Sequence, residues 1–144
     1  MEKQIDKAPD YQKDNHLSVE VKKYLKILNA GKPVETLSKQ DARNVLVAVQ
    51  EGVKVNLSGI EESEKTILDK DYPVRLTIVR PIGIAKKLPA FIFIHGGGWV
   101  LGDYNTHRRM VRDLVVESGY AAVFVNYNLS PEAKYPQAVN EVYA

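Results

Sequence analysis

An α/β fold class is predicted by three stretches of the sequence. Phe91-Ile92-Phe93-Ile94 is an uninterrupted apolar run of strand formers that leads straight into His95 and the consecutive glycines Gly96, Gly97 and Gly98. Further on, Met110, Val111, Leu114 and Val115 share one face at helical spacing, and Gly119 closes that pattern. Ala121 to Val125 is a second short apolar run, of the kind buried on both faces of a parallel sheet. Strand, helix and strand in that order make a unit of two parallel strands, for which a right-handed crossover is the rule.

Composition narrows the function classes. With 144 residues, 44% hydrophobic and 26% charged, the chain has the make-up of a soluble globular protein. Twenty Lys plus Arg against 18 Asp plus Glu give a formal charge of +2, with the basic residues scattered, so nucleic acid is not an expected partner. No apolar run approaches the length of a membrane span, and Met1-Glu2-Lys3-Gln4-Ile5-Asp6-Lys7 lacks the apolar stretch of a signal peptide. Zero cysteines exclude disulfides and thiolate metal sites and fit a reducing compartment, so a cytoplasmic location is expected. No cofactor is expected, and without close His or carboxylate pairing no metal site either.

In chain order, Met1 to Lys13 reads as a loose polar arm. Leu17, Val21, Tyr24, Leu25 and Leu28 then fall at helical spacing until Gly31 and Pro33, residues expected just past a helix end. A second helix begins at Ser38, with Asp41 three residues on as the other half of a capping box. Ala42, Val45, Leu46 and Val49 line its apolar face and Gly52 ends it. Glu61 to Lys65 reads as a charged surface stretch. Thr66-Ile67-Leu68 and Val74 to Val79 read as two strands joined around Asp69 to Pro73, the second ended by Arg80-Pro81. Lys86, Lys87 and Pro89 form a loop before a buried strand, Ala90 to Ile94. A last helix starts near Pro136, with Val139, Val142 and Tyr143 at helical spacing.

Three glycines in succession strip side chains from the backbone where a strand ends. A ligand can then come within hydrogen-bond distance of the main-chain N–H groups, and such amides make an oxyanion hole for the negative oxygen that develops when an ester or amide carbonyl is attacked. His95-Gly96-Gly97-Gly98-Trp99 resembles the HGGG motif of the hormone-sensitive-lipase-like esterases and lipases, and Tyr127-Asn128-Leu129-Ser130-Pro131-Glu132 is similar to the Tyr-Arg-Leu-Ala-Pro-Glu signature of the same family.

That resemblance implies the N-terminal portion of an α/β-hydrolase fold, a partial and mostly parallel sheet with flanking helices, preceded by two cap-like helices. Leu37-Ser38 through Ala42-Arg43 resembles the second of these. Residues 1–58 would form the arm and cap-like helices, and residues 59–144 the first half of the hydrolase domain, truncated before the nucleophile strand. The resemblance makes Gly97 and Gly98 the oxyanion donors and gives Gly96 and His95 a supporting role, His95 bracing the loop rather than serving as base. Trp99, Asp103 and Tyr104 are candidates for shaping the substrate pocket. Where the family has Asp-Tyr-Arg, this chain has Asn126-Tyr127-Asn128; with acid and base both replaced by neutral amides, the loop is expected to keep its shape.

The family's nucleophile lies in Gly-x-Ser-x-Gly. None of the six serines, Ser18, Ser38, Ser58, Ser63, Ser118 and Ser130, stands between glycines at that spacing. The expected function is therefore the oxyanion-hole portion of a serine carboxylic-ester hydrolase acting on a small acyl ester, inactive by itself. An amidase-type hydrolase and a non-enzymatic ligand-binding or interaction protein are the alternatives. With no following strand, Phe91 to Ile94 would be an apolar sheet edge, open to self-association or to a complementary C-terminal half.

Overall fold

The computed structural model describes residues 10–69 and 72–144. The chain divides into two compact units, Met1–Leu37 and Ser38–Ala144. In the first, helix α1 (Val19–Leu28) starts where Ser18 Oγ accepts a hydrogen bond from the Val21 N–H at 3.3 Å, and none of its residues is buried. A 3-10 turn follows at Val34–Thr36.

The second unit opens with helix α2 (Lys39–Glu51), capped by Ser38 and stopped at Gly52 as its sequence predicts. Ser38 Oγ accepts from the Asp41 N–H at 3.1 Å and donates to the Asp41 carboxylate at 2.7 Å, so Asp41 completes the cap through the hydroxyl rather than the backbone. Strands β1 (Ile60–Asp69), β2 (Tyr72–Pro81), β3 (Ala90–Phe93) and β4 (Ala121–Asn126) form one sheet in the order β1-β2-β4-β3. Helix α3 (Tyr104–Ser118) connects β3 to β4, and helix α4 (Gln137–Tyr143) follows β4.

The predicted strand-helix-strand unit is present, with β3 and β4 parallel. The other two pairings are antiparallel, so the sheet is mixed rather than mostly parallel. A connection as short as that between β1 and β2 can only join antiparallel strands. Two further readings change. Glu61 to Lys65 lies inside β1, where charged side chains suit an edge strand and one of them, Glu62, is bound by Arg108. Strand β3 is not the buried strand its apolar run reads as but the open sheet edge also expected for Phe91 to Ile94: it pairs with β4 on one side only among the described residues, leaving Ile92 66% exposed.

Helix α3 covers one face of the sheet. Val111 and Val115 meet Val79, Ala122 and Phe124, all five fully buried. Each such valine contributes about 1.5–3 kcal/mol relative to exposure. A second cluster forms around Val74, Val125 and Tyr127, with Leu129, Ala138 and Val142 packed against it, and this brings α4 onto the sheet. Helix α3 begins at a capping box of Asp103 and Thr106 and ends at Gly119, whose φ of 70° is left-handed. Layers on both sides of β4 fix where its end, and the glycine loop after β3, must lie.

Candidate active site

His95 leaves the end of β3 and turns inward, 5% exposed. Its ring stacks on Tyr127 at 4.3 Å between centroids and on Phe124 at 5.4 Å, both nearly parallel. Nδ1 lies 2.8 Å from the Gly96 carbonyl oxygen, and the Tyr127 hydroxyl donates to the His95 carbonyl at 2.7 Å. Burial, aided by the nearby His107, holds its pKa below the ordinary value of 6.5, against the Gly96 carbonyl and Asp103. A histidine whose folded pKa is depressed withholds a proton that the unfolded chain takes up, so stability declines as pH falls below about 6.5. Melting temperature is expected to drop between about pH 7 and pH 5, and the His95→Phe variant to lose most of that dependence. An unchanged slope in the variant would refute the assignment to His95.

The loop beyond His95 has a left-handed backbone over three residues, with φ of 124° at Gly97, 62° at Gly98 and 65° at Trp99. Glycine is required at Gly97 by contact as well as by angle, because a Cβ there would sit 2.0 Å from the Leu101 carbonyl oxygen. Gly102 is similarly constrained, its missing Cβ lying 2.8 Å from His95 Nδ1. A Cβ at Gly96 or Gly98 would meet nothing within 4 Å, so these two face open space. The Gly97 carbonyl accepts from the N–H groups of Val100 and Leu101, at 3.2 and 2.9 Å. The N–H groups of Gly97 and Gly98 find no acceptor among the described residues. Trp99 carries left-handed strain of about 1–3 kcal/mol, which persists only where surroundings over-determine it. Its carbonyl accepts from the Ser130 N–H at 2.7 Å, and its ring tilts against Tyr127 at 5.4 Å.

The other two sequence candidates have partners of their own. Asp103 caps α3, accepting from the Thr106 N–H at 2.8 Å, and lines a cleft of about 310 Å³ together with His95, Gly102, Asn126, Tyr127 and Asn128. Tyr104 packs edge-on against Phe124, and its hydroxyl donates to Glu62, which also accepts from Arg108. Burial first, then the Glu62 carboxylate, pushes the pKa of Tyr104 upward, so it stays a neutral donor. His107 lies one turn into α3, its Nδ1 3.1 Å from the Asp103 carbonyl, and His16 is an exposed partner of Asp14. No cluster of three metal-binding side chains occurs among the described residues, and no helix there is long and apolar enough to cross a membrane.

Two residues carry contacts that periodicity did not single out. Glu141 on α4 is 2% exposed, and its carboxylate accepts from the Asn128 N–H (2.7 Å), Asn128 Nδ2 (2.8 Å) and Gln137 Nε2 (2.8 Å). Arg43 on α2 reaches the glycine loop directly. Glu141 sits at helical spacing among apolar residues, which hides a carboxylate whose partners come from a loop. Asn126 and Asn128 do not face each other: Asn126 Nδ2 donates to Thr77 Oγ1 at 2.9 Å, while Asn128 binds Glu141. Their neutrality is therefore not a mutual compensation.

Comparison with known proteins bears on the family and the fold. A family profile described as the α/β hydrolase fold matches residues 91–144. The chain is 35% identical over 129 residues to a protein of Acanthamoeba polyphaga mimivirus named as an α/β hydrolase, a match covering 85% of this chain and 35% of that one. Over 52 residues it is 44% identical to the acetyl esterase of Salmonella paratyphi B, covering 36% of this chain and 16% of the enzyme. The crystal structure of a thermostable esterase from Pseudomonas putida ECU1011 superposes with a TM-score of 0.84 at 49% identity, covering 89% of this chain and 41% of that one. The chain thus spans less than half the length of each of these relatives. By the profile match, these identities and the superposition, it belongs to an esterase family of the α/β-hydrolase fold.

Proposed function

We propose that this chain supplies the oxyanion hole of a serine carboxylic-ester hydrolase, through the N–H groups of Gly97 and Gly98, with His95 and Gly96 holding the loop. The observation that carries the reading is a strained, tightly bonded loop whose Gly97 and Gly98 amides have no acceptor among the described residues. Such donors act on the oxygen of a tetrahedral intermediate, and each contributes on the order of a hundred- to a thousand-fold in rate. Trp99, Asp103 and Tyr104 would shape the pocket for the acyl or alcohol group, a reading supported for Asp103 by the cleft it lines with His95 and Gly102. The chain contains no Gly-x-Ser-x-Gly, so nucleophile, acid and base would come from a C-terminal portion, and β3 would be the edge against which that portion pairs.

The test is hydrolysis of p-nitrophenyl acetate by the 144-residue chain alone and after mixing with the C-terminal portion of a related esterase. No turnover alone, with activity and a larger particle by light scattering on mixing, is the expected result. Turnover by the chain alone would overturn the dependence on a second portion. Hydrolysis of an aryl amide in preference to the ester would replace the substrate class.

A further inference from the structure

We propose that Arg43 is the positioning residue of the oxyanion loop, an inference that rests on the role just assigned to Gly97 and Gly98. Its guanidinium makes four hydrogen bonds to two different loops. Nε donates to the Val100 carbonyl at 2.8 Å, and Nη2 to the Ser130 carbonyl at 3.0 Å. Nη1 and Nη2 together grip the Glu132 carboxylate at 3.1 and 2.9 Å.

Those acceptors mark the two segments that must keep register for the loop to hold its form. Val100 follows the strained Trp99, and Ser130 is the residue whose N–H binds the Trp99 carbonyl. Arg43 therefore closes a ring: guanidinium to Val100 carbonyl, Trp99 carbonyl to Ser130 N–H, Ser130 carbonyl back to guanidinium. A left-handed tryptophan is sustained only by such over-determination. Val100 and Leu101 also donate to the Gly97 carbonyl, so the ring fixes the peptide planes next to the two donors. The planar fork of arginine serves three acceptors at set angles; the single ammonium of lysine does not. The Arg43 side chain is 22% exposed and Glu132 is 60% exposed, so the bonds to the Val100 and Ser130 carbonyls are the shielded ones and the carboxylate pair is open to water. Placed on α2, it makes the position of that helix part of the geometry of the donors.

Trp99 is the only tryptophan in the chain and so reports on the loop directly. Arg43→Ala and Arg43→Lys, with far-UV circular dichroism as a check on folding, are expected to raise acrylamide quenching of Trp99, 46% exposed in the native loop, by roughly a third or more as the loop loosens. If the alanine variant fails to fold, the lysine variant decides, and Trp99 quenching as in the wild type in either folded variant overturns the proposal. In the enzyme reconstituted with a C-terminal portion, kcat is expected to fall about tenfold or more with KM within about twofold, since misplaced donors affect the transition state first. Loosened Trp99 with unaltered kcat would also overturn the positioning role. No activity in the reconstituted wild type would instead count against the oxyanion-hole reading, leaving the Trp99 result to judge the ring of bonds alone.

Discussion

Replacing Gly97 by alanine is expected to collapse the glycine loop and to cost at least about 3 kcal/mol of stability. Two effects add. A side chain at a φ of 124° meets a backbone conformation that costs about 1–3 kcal/mol outside glycine. The new Cβ would also stand 2.0 Å from the Leu101 carbonyl oxygen and 2.7 Å from its carbon, which are main chain and cannot rotate away. Relief requires the 97–101 turn to open, and that breaks the bonds from Val100 and Leu101 to the Gly97 carbonyl. Gly98→Ala is the control: its φ of 62° costs about 1–2 kcal/mol, but its Cβ would meet nothing within 4 Å. Urea unfolding of both variants, followed by Trp99 fluorescence, measures the difference. Equal losses would mean that the Leu101 contact does not constrain the loop.

Glu141→Ala is expected to cost about 1–3 kcal/mol, because it leaves the Asn128 N–H, Asn128 Nδ2 and Gln137 Nε2 without their acceptor, although Asn128 itself can reach water. Asn128 offers Glu141 a neutral amide where the signature it resembles carries arginine, so a buried carboxylate is held here by amides alone. Asn128→Arg by itself is expected to gain about 1–2 kcal/mol by supplying a charge-assisted pair. Asn126→Asp is expected to gain nothing, since Asn126 is bound to Thr77. Chemical denaturation of the two single variants and the double decides the matter: a gain that appears only in the double variant would restore the view of 126 and 128 as a coupled pair.

Much of the fold is legible in local pattern. Ser18, Ser38 and Gly119 stand at the helix ends where capping chemistry puts them, and the apolar face of α3 is the one whose Val111 and Val115 are buried. The readings that fail are those that depend on a neighbour. Glu61 to Lys65 shows the composition of a surface loop, yet it pairs along β2 from Ile60 to Asp69 because the backbone ladder is indifferent to side-chain charge on an exposed edge. The apolar run of β3 resembles that of β4, although one lies at an edge and the other between two strands, because continuous hydrophobicity records what a strand can bury and not how many partners it has.

The candidate site divides in the same way. The glycines, the histidine before them and the Tyr127 loop are chain-local signals, because stripping the backbone bare and turning it left-handed are properties of residues adjacent in sequence. By itself the sequence determined the family, the strand-helix-strand unit and the place of the bare amides. Only the tertiary structure decided that His95 is buried against Tyr127, that Asn128 answers Glu141, and that Arg43, 57 residues before Val100, closes on the loop. The physical reason is one of range: helix spacing and turn chemistry act within a few residues, whereas a carboxylate or guanidinium takes whichever partner the packing of distant segments brings within hydrogen-bond reach.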